Sequence, residues 1–222
     1  MRVRPRTTRT TARSPGRQSH AEASASAAEI VAQTLKDYGR ALVVGDPQTF
    51  GKGSFQTFTL DAVNHPKVSP QGEHKVTRGR YYTVSGKSPQ LVGVEADIVV
   101  PGLLSELEVG EKFAKFPLEN DEIPPHFDDD LSDVSPFQRI QLGSSYKLQL
   151  QPRLTTYVPY IERLKKNSAK RIETNRTYQN FLQEVRKKNF DSEWVDHFGQ
   201  TDLQHLEALN ILKDLIFLSA AS

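Results

Sequence analysis

Apolar positions recur at helical spacing soon after Ala21. Ile30, Val31, Thr34, Leu35 and Tyr38 predict an amphipathic helix within AEASASAAEIVAQTLKDYG. Ser24 or Ser26 is placed to cap its start, and Gly39 to close it. A short buried-strand pattern follows at Ala41-Leu42-Val43-Val44, then a Gly45-Asp46-Pro47 turn. Residues 49–60 end in alternation, with Phe55, Thr57 and Thr59 set against Gln56, Phe58 and Leu60. Residues 76–86 and 94–101 predict two further strands, and the turn-rich 65–74 stretch predicts a loop.

The second half of the chain changes character. Residues 103–147 are acidic and contain proline, as expected of an extended connector. Beyond it, Leu154, Val158, Ile161, Leu164 and Lys165 predict an amphipathic helix; Tyr178, Phe181, Leu182 and Val185 continue it or start another. Trp194 and Phe198 are expected to anchor a turn. Leu206, Leu209, Leu212, Leu215 and Ile216 predict one face of a closing helix. The pattern as a whole is α/β: a helix with mixed strands, then a helical carboxyl-terminal extension.

Composition adds exclusions. The chain has 222 residues, enough for one large domain or two small ones. Cysteine is absent, which excludes disulfides, thiolate metal sites and a cysteine nucleophile. No run of about 18 apolar residues predicts a membrane-spanning helix. The formal charge of +2 is uneven, because Arg2, Arg4, Arg6, Arg9, Arg13 and Arg17 crowd the start without an acid. The remainder is net acidic, so the basic pI does not mark the whole chain as a nucleic-acid binder. Residues 1–20 read as a disordered or unrelated arm and lack the apolar core of a secretory signal. The basic face of Arg163, Lys165, Lys166, Lys170 and Arg171 is interleaved with Glu162 and Glu173, as on a solvated helix. Asp128-Asp129-Asp130 beside His126 reads as a solvated loop, since hard-cation loops alternate their ligands around a glycine bend.

Candidate chemistry lies between Ser24 and Gln56. A serine at a helix start stands beside backbone N–H groups that lack intrahelical partners and can receive a developing oxyanion. Lys52 is flanked by Gly51 and Gly53. A lysine acts as a general base only when neutral, which requires burial or a nearby positive field. Serine with lysine is a known variant of nucleophile–base catalysis. A phosphate loop of the GxxxxGK[ST] kind is excluded, because Asp46 stands where its first glycine belongs and Gly53 follows the lysine.

Several separated blocks occur in order: Ser26 with Glu29-Ile30, then Asp37-Tyr38-Gly39-Arg40-Ala41, then Phe50-Gly51-Lys52-Gly53 with Gln56. Together they resemble the active-site stretch of the carboxyl-terminal processing (tail-specific) serine proteases. The stretch VTRGRYYTVSGKSPQLVGVEADIVVPG is similar to the part that closes that protease core. The resemblance implies Ser26 as nucleophile, Lys52 as general base and Gln56 as the residue orienting the lysine. It implies the Ala27 backbone N–H as oxyanion donor and Asp37 as an acid some members use with the dyad; a local role for Asp37 at the helix end is the alternative. Arg78, Tyr81 and Tyr82 are placed along the substrate path or in core packing.

The resemblance further implies protein or peptide substrates, no metal or cofactor, and a periplasmic or cell-envelope setting. Two departures stand out: the loop before Phe50 is one residue longer than is usual, and Ala28 replaces a common serine. Residues 21–102 would be the second half of a Ser-Lys protease core and 148–222 a helical domain. The family's PDZ domain and first half-core are not seen, so a carboxyl-terminal fragment with little activity of its own is expected. The rival reading is a non-catalytic nucleic-acid or protein-binding module with a basic arm.

Overall fold

A computed structural model describes residues 25–58, 75–127, 131–132, 134–145, 152–187 and 202–220. The arginine-rich arm, the 65–74 loop, Asp128–Asp130, Trp194 and Phe198 lie outside the described residues. The chain opens with helix α1 (Ala27–Asp37), followed by strands β1 (Val44–Gly45), β2 (Ser54–Phe58), β3 (Lys75–Arg80) and β4 (Ile98–Val99). Helices α2 (Pro136–Ser145), α3 (Ile161–Thr174), α4 (Arg176–Lys187) and α5 (Leu203–Ala220) complete it. The α/β sequence reading therefore describes the fold, but the strands form two separate pairs. β1 and β4 pair in parallel, Val44 with Ile98 and Gly45 with Val99. β2 and β3 pair antiparallel from Ser54–Arg80 to Phe58–Lys75. Their register shifts between Phe55 and Gln56, where Arg78 is the extra residue of a β-bulge.

The apolar core lies between β4 and three helices. Ile98, Val100, Leu164, Tyr178, Phe181, Leu182, Val185 and Ile211 form one buried cluster. The single long helix allowed by the sequence is two: Asn175 interrupts it, and its side-chain oxygen accepts the Tyr178 N–H at 3.1 Å, capping α4. Tyr178 then anchors the helix to the strand end by donating its hydroxyl to the Pro101 carbonyl at 2.7 Å. Residues 152–157 are not helical, so α3 begins later than the apolar spacing predicts.

Two faces differ from expectation. α5 turns Gln204, Glu207 and Ile211 inward, with Leu215 and Leu218 packed beside them, and leaves Leu206, Leu209, Leu212 and Ile216 exposed. Polar partners explain the choice. Gln204 donates to the Val100 carbonyl at 2.7 Å, and Glu207 receives Arg171 from α3 at 2.8 Å. The connector is also more ordered than an extended chain: 3-10 turns at Leu103–Glu106 and Glu111–Phe113 precede α2. Buried Asp46 fastens the first turn by accepting the Gly102 N–H at 2.9 Å and the Ser105 hydroxyl.

Candidate active site

α1 begins at an unusual backbone. Ser26, its N-cap, has φ +55° and ψ −111°, a conformation close to the first central position of a type II′ turn and normally given to glycine. Such a residue persists only where its surroundings over-determine it. Here Glu29, three residues on, accepts the Ser26 N–H with Oε2 at 2.8 Å, the reciprocal half of a capping box.

Glu29 is completely buried, and its reach extends well beyond its own helix. Oε1 accepts the Thr49 hydroxyl at 2.5 Å and the Gly51 N–H at 2.7 Å, while Oε2 also accepts the Lys52 N–H at 2.9 Å. Four donors thus surround one carboxylate, which offsets the cost of burying its charge. Thr49 passes the connection on by accepting the Val94 N–H at 2.7 Å. Two donors on a single oxygen bring the Ser26 and Lys52 backbone nitrogens within about 6 Å of each other.

The loop bearing Lys52 needs its glycines. Gly51 has φ +90°, and its carbonyl accepts the Leu91 N–H at 2.8 Å. A Cβ at Gly53 would stand 2.4 Å from Ser88 Oγ and 2.7 Å from the Gln90 nitrogen. That approach lets the Gly53 N–H reach the buried Gln90 side chain at 3.1 Å. The loop is therefore held on both sides of the lysine by backbone bonds.

Tyr81 closes the arrangement from the other direction. Its N–H donates to the Gly53 carbonyl at 3.0 Å, one residue beyond the β2–β3 ladder. Its hydroxyl lies 2.8 Å from the Lys52 carbonyl and 3.1 Å from the Ser26 carbonyl. Burial, reinforced by the negative charge of Glu29, pushes the phenol pKa well above its ordinary value, so the hydroxyl remains a donor.

The remaining sequence candidates divide. Ala27 is the first residue of α1, where backbone N–H groups lack intrahelical acceptors. Gln56 sits beyond Lys52 on β2 and donates its amide to Ser54 Oγ at 3.2 Å and Thr77 Oγ1 at 3.4 Å. Asp37 is not brought beside Ser26. It lies at the far end of α1, about 16 Å along the axis from Ser26 at 1.5 Å per residue. Its carboxylate accepts Gln33 at 2.6 Å, the Thr83 hydroxyl at 2.5 Å and the Ser85 N–H at 3.3 Å. Through these bonds Asp37 fastens α1 to the 83–85 turn.

Arg78 donates to Thr57 Oγ1 at 3.3 Å. Tyr82 bonds Asp121, whose carboxyl is held below its ordinary range chiefly by the hydrogen bond from Arg80. No group of metal-ligating side chains occurs among the described residues, and no helix among them is long and apolar enough to cross a membrane. The basic face of α3 is partly spent inside the fold, since Arg171 pairs with Glu207 and Asp214. Sequence reasoning missed Glu29 and Tyr81 as organisers of the site. Ser26-Ala27-Ala28-Glu29 carries the capping-box signature that could have exposed the first.

Comparison with known proteins covers this same region. Residues 21–100 match the model of peptidase family S41. The chain is 40% identical over 102 residues to the tail-specific protease of Haemophilus influenzae, which covers 46% of this chain and 14% of that protein. It is 45% identical over 86 residues to the carboxy-terminal-processing protease of Bartonella bacilliformis, covering 37% of this chain and 17% of the relative. The chain thus spans less than a fifth of the length of these curated relatives. The segment that gathers Ser26, Glu29, Lys52 and Tyr81 into one hydrogen-bonded unit is the one that matches peptidase family S41 and is similar to these two proteases.

Proposed function

We propose that Ser26 and Lys52 are the nucleophile and general base of a serine endopeptidase that cuts proteins selected by their carboxyl terminus. The observation that carries this reading is the shared grip of Glu29 Oε2 on the Ser26 and Lys52 backbone N–H groups. Two segments 26 positions apart in sequence are held to each other by a buried charge, at a serine whose backbone is strained. The match to peptidase family S41 and the similarity to a tail-specific and a carboxy-terminal-processing protease support the substrate class.

In the proposed reaction Ser26 Oγ attacks the scissile carbonyl carbon while its proton passes to the free amine of Lys52. The Ala27 N–H receives the oxyanion, aided by the partial positive charge of the α1 N-terminus. Lys52 then protonates the departing amine, and the acyl-enzyme is hydrolysed by a water that the same lysine deprotonates. Gln56 orients the lysine by accepting from its amine with the amide oxygen. Glu29 touches no reacting atom and acts as a positioning residue. A periplasmic or cell-envelope setting goes with this reading.

The test uses an unstructured protein ending in apolar residues, incubated with the full chain and with Ser26→Ala and Lys52→Ala. Slow cleavage by the wild type and a loss of roughly a thousandfold in each variant are expected, in line with removal of a nucleophile or its base. Cleavage that persists in both variants overturns the assignment.

A further inference from the structure

Ser26 and Lys52 are gripped twice, and the two grips mirror each other. Glu29 Oε2 takes the N–H of both residues, at 2.8 and 2.9 Å. The Tyr81 hydroxyl faces the carbonyl of both residues, at 3.1 and 2.8 Å. The proposed nucleophile and base are thereby pinned on both sides of their peptide units. We infer that Tyr81 is a positioning residue of the dyad: its hydroxyl locks the strained Ser26 backbone against the Lys52 loop.

Three observations support a positional role over simple packing. First, Ser26 has a positive φ that glycine would adopt freely, so its orientation depends on external bonds. Second, the hydroxyl has one hydrogen for two carbonyls, and sharing it is useful only if both stay at a fixed separation. Third, Tyr81 is itself registered by its N–H bond to Gly53, directly after the lysine. A rotation of Ser26 that freed its carbonyl would also swing Oγ, since both are attached around the same Cα. The Tyr81 hydroxyl bonds the Ser26 and Lys52 carbonyls rather than Oγ or the lysine amine, so its effect is exerted through backbone placement. This inference rests on the dyad assignment above, and its experiment separates the two.

A fluorophosphonate carrying a fluorophore reports the geometry of the serine directly. Ser26 Oγ bonds to phosphorus as the P–F bond breaks, fluoride leaves, and the Oγ proton passes to Lys52. The control is Tyr178→Phe, which removes a buried hydroxyl bonded to the Pro101 carbonyl within the helical core. In Tyr81→Phe the labelling rate at saturating probe should fall about tenfold, with the half-saturating concentration unchanged, for one lost hydrogen bond of ordinary strength. Tyr178→Phe should stay within about twofold of wild type at a temperature where both variants are folded. Equal slowing in the two variants, or wild-type labelling in Tyr81→Phe, overturns the positioning role.

If wild-type Ser26 takes no label, the nucleophile assignment fails and amide hydrogen exchange still judges the lock. The Ser26 and Lys52 N–H groups should exchange about tenfold faster in Tyr81→Phe while those of α3 and α4 hold steady. Unchanged exchange at both amides overturns it.

Discussion

Helices α1 and α4 bury opposite kinds of side chain. α4 turns Tyr178, Phe181, Leu182 and Val185 inward, the apolar stripe its sequence announces. α1 buries Glu29, Gln33 and Asp37, a polar stripe at every fourth residue, and leaves Ile30, Val31 and Leu35 exposed. Apolar burial is strong but non-directional, so it stabilises α4 without fixing any atom finely. Hydrogen bonds to buried carboxylates are directional, so α1 trades apolar burial for definite distances to Thr49, Gly51, Lys52 and Thr83. One helix holds the fold together; the other holds a site in register.

Substitutions that attack each helix should separate these roles. The largest effect is expected in the helical core. Leu164→Ala, at a fully buried position of α3, should lower stability by about 2–5 kcal/mol in urea unfolding, with Ser26 labelling unchanged wherever the variant remains folded. Loss of labelling in a demonstrably folded Leu164→Ala chain would merge the two regions into one.

Glu29→Gln comes next. The amide keeps the shape but presents N–H groups where four donors converge, so about 2–3 kcal/mol should be lost. In this case labelling of Ser26 should disappear even under conditions where circular dichroism reports native helix content. Full labelling in Glu29→Gln would deny the carboxylate its organising role.

A smaller effect is expected where charge serves the helical region. Arg171 spans Glu207 and Asp214, with the Glu207 bonds at 2.8 and 3.0 Å and the Asp214 bond at 2.7 Å. Arg171→Ala should cost about 1–2 kcal/mol, a figure reduced because the guanidinium is partly exposed. Burial opposes ionisation of Asp214, but bonds from Arg171 and Asn167 prevail and hold its pKa below the ordinary 3.8. The folded state then binds the proton more weakly than the unfolded chain. Its contribution is complete above the unfolded value and fades as pH falls through the lower folded one. Urea midpoints should drop between pH 5 and pH 2 more steeply in the wild type than in Arg171→Ala. Parallel acid curves would remove the clasp from the stability account.

Least of all, Leu35→Ala on the exposed side of α1 should change stability by under about 0.5 kcal/mol. A loss comparable to that of Leu164→Ala would show that the outer face of α1 is covered after all.

Much of this was legible in the residue order. The amphipathic periods located α1, α3, α4 and α5, and the separated motif blocks lie in the segment that the family model matches. The glycines around Lys52 announced a backbone that other residues could not follow, and the close approach at Gly53 gives the reason. Asp37 was legible as conspicuous but not as structural, because its partners Thr83 and Ser85 lie more than 40 residues away.

Periodicity states that a helix has an apolar face; it does not state that anything covers it. For α4 the two coincide, and the sequence alone determined which residues form the core. For α1 and α5 only the tertiary structure decided, since buried carboxylates with distant partners outweighed the apolar stripe and turned the polar face inward. A carboxylate and the N–H groups it will accept carry no common period, so their meeting is a property of the folded chain.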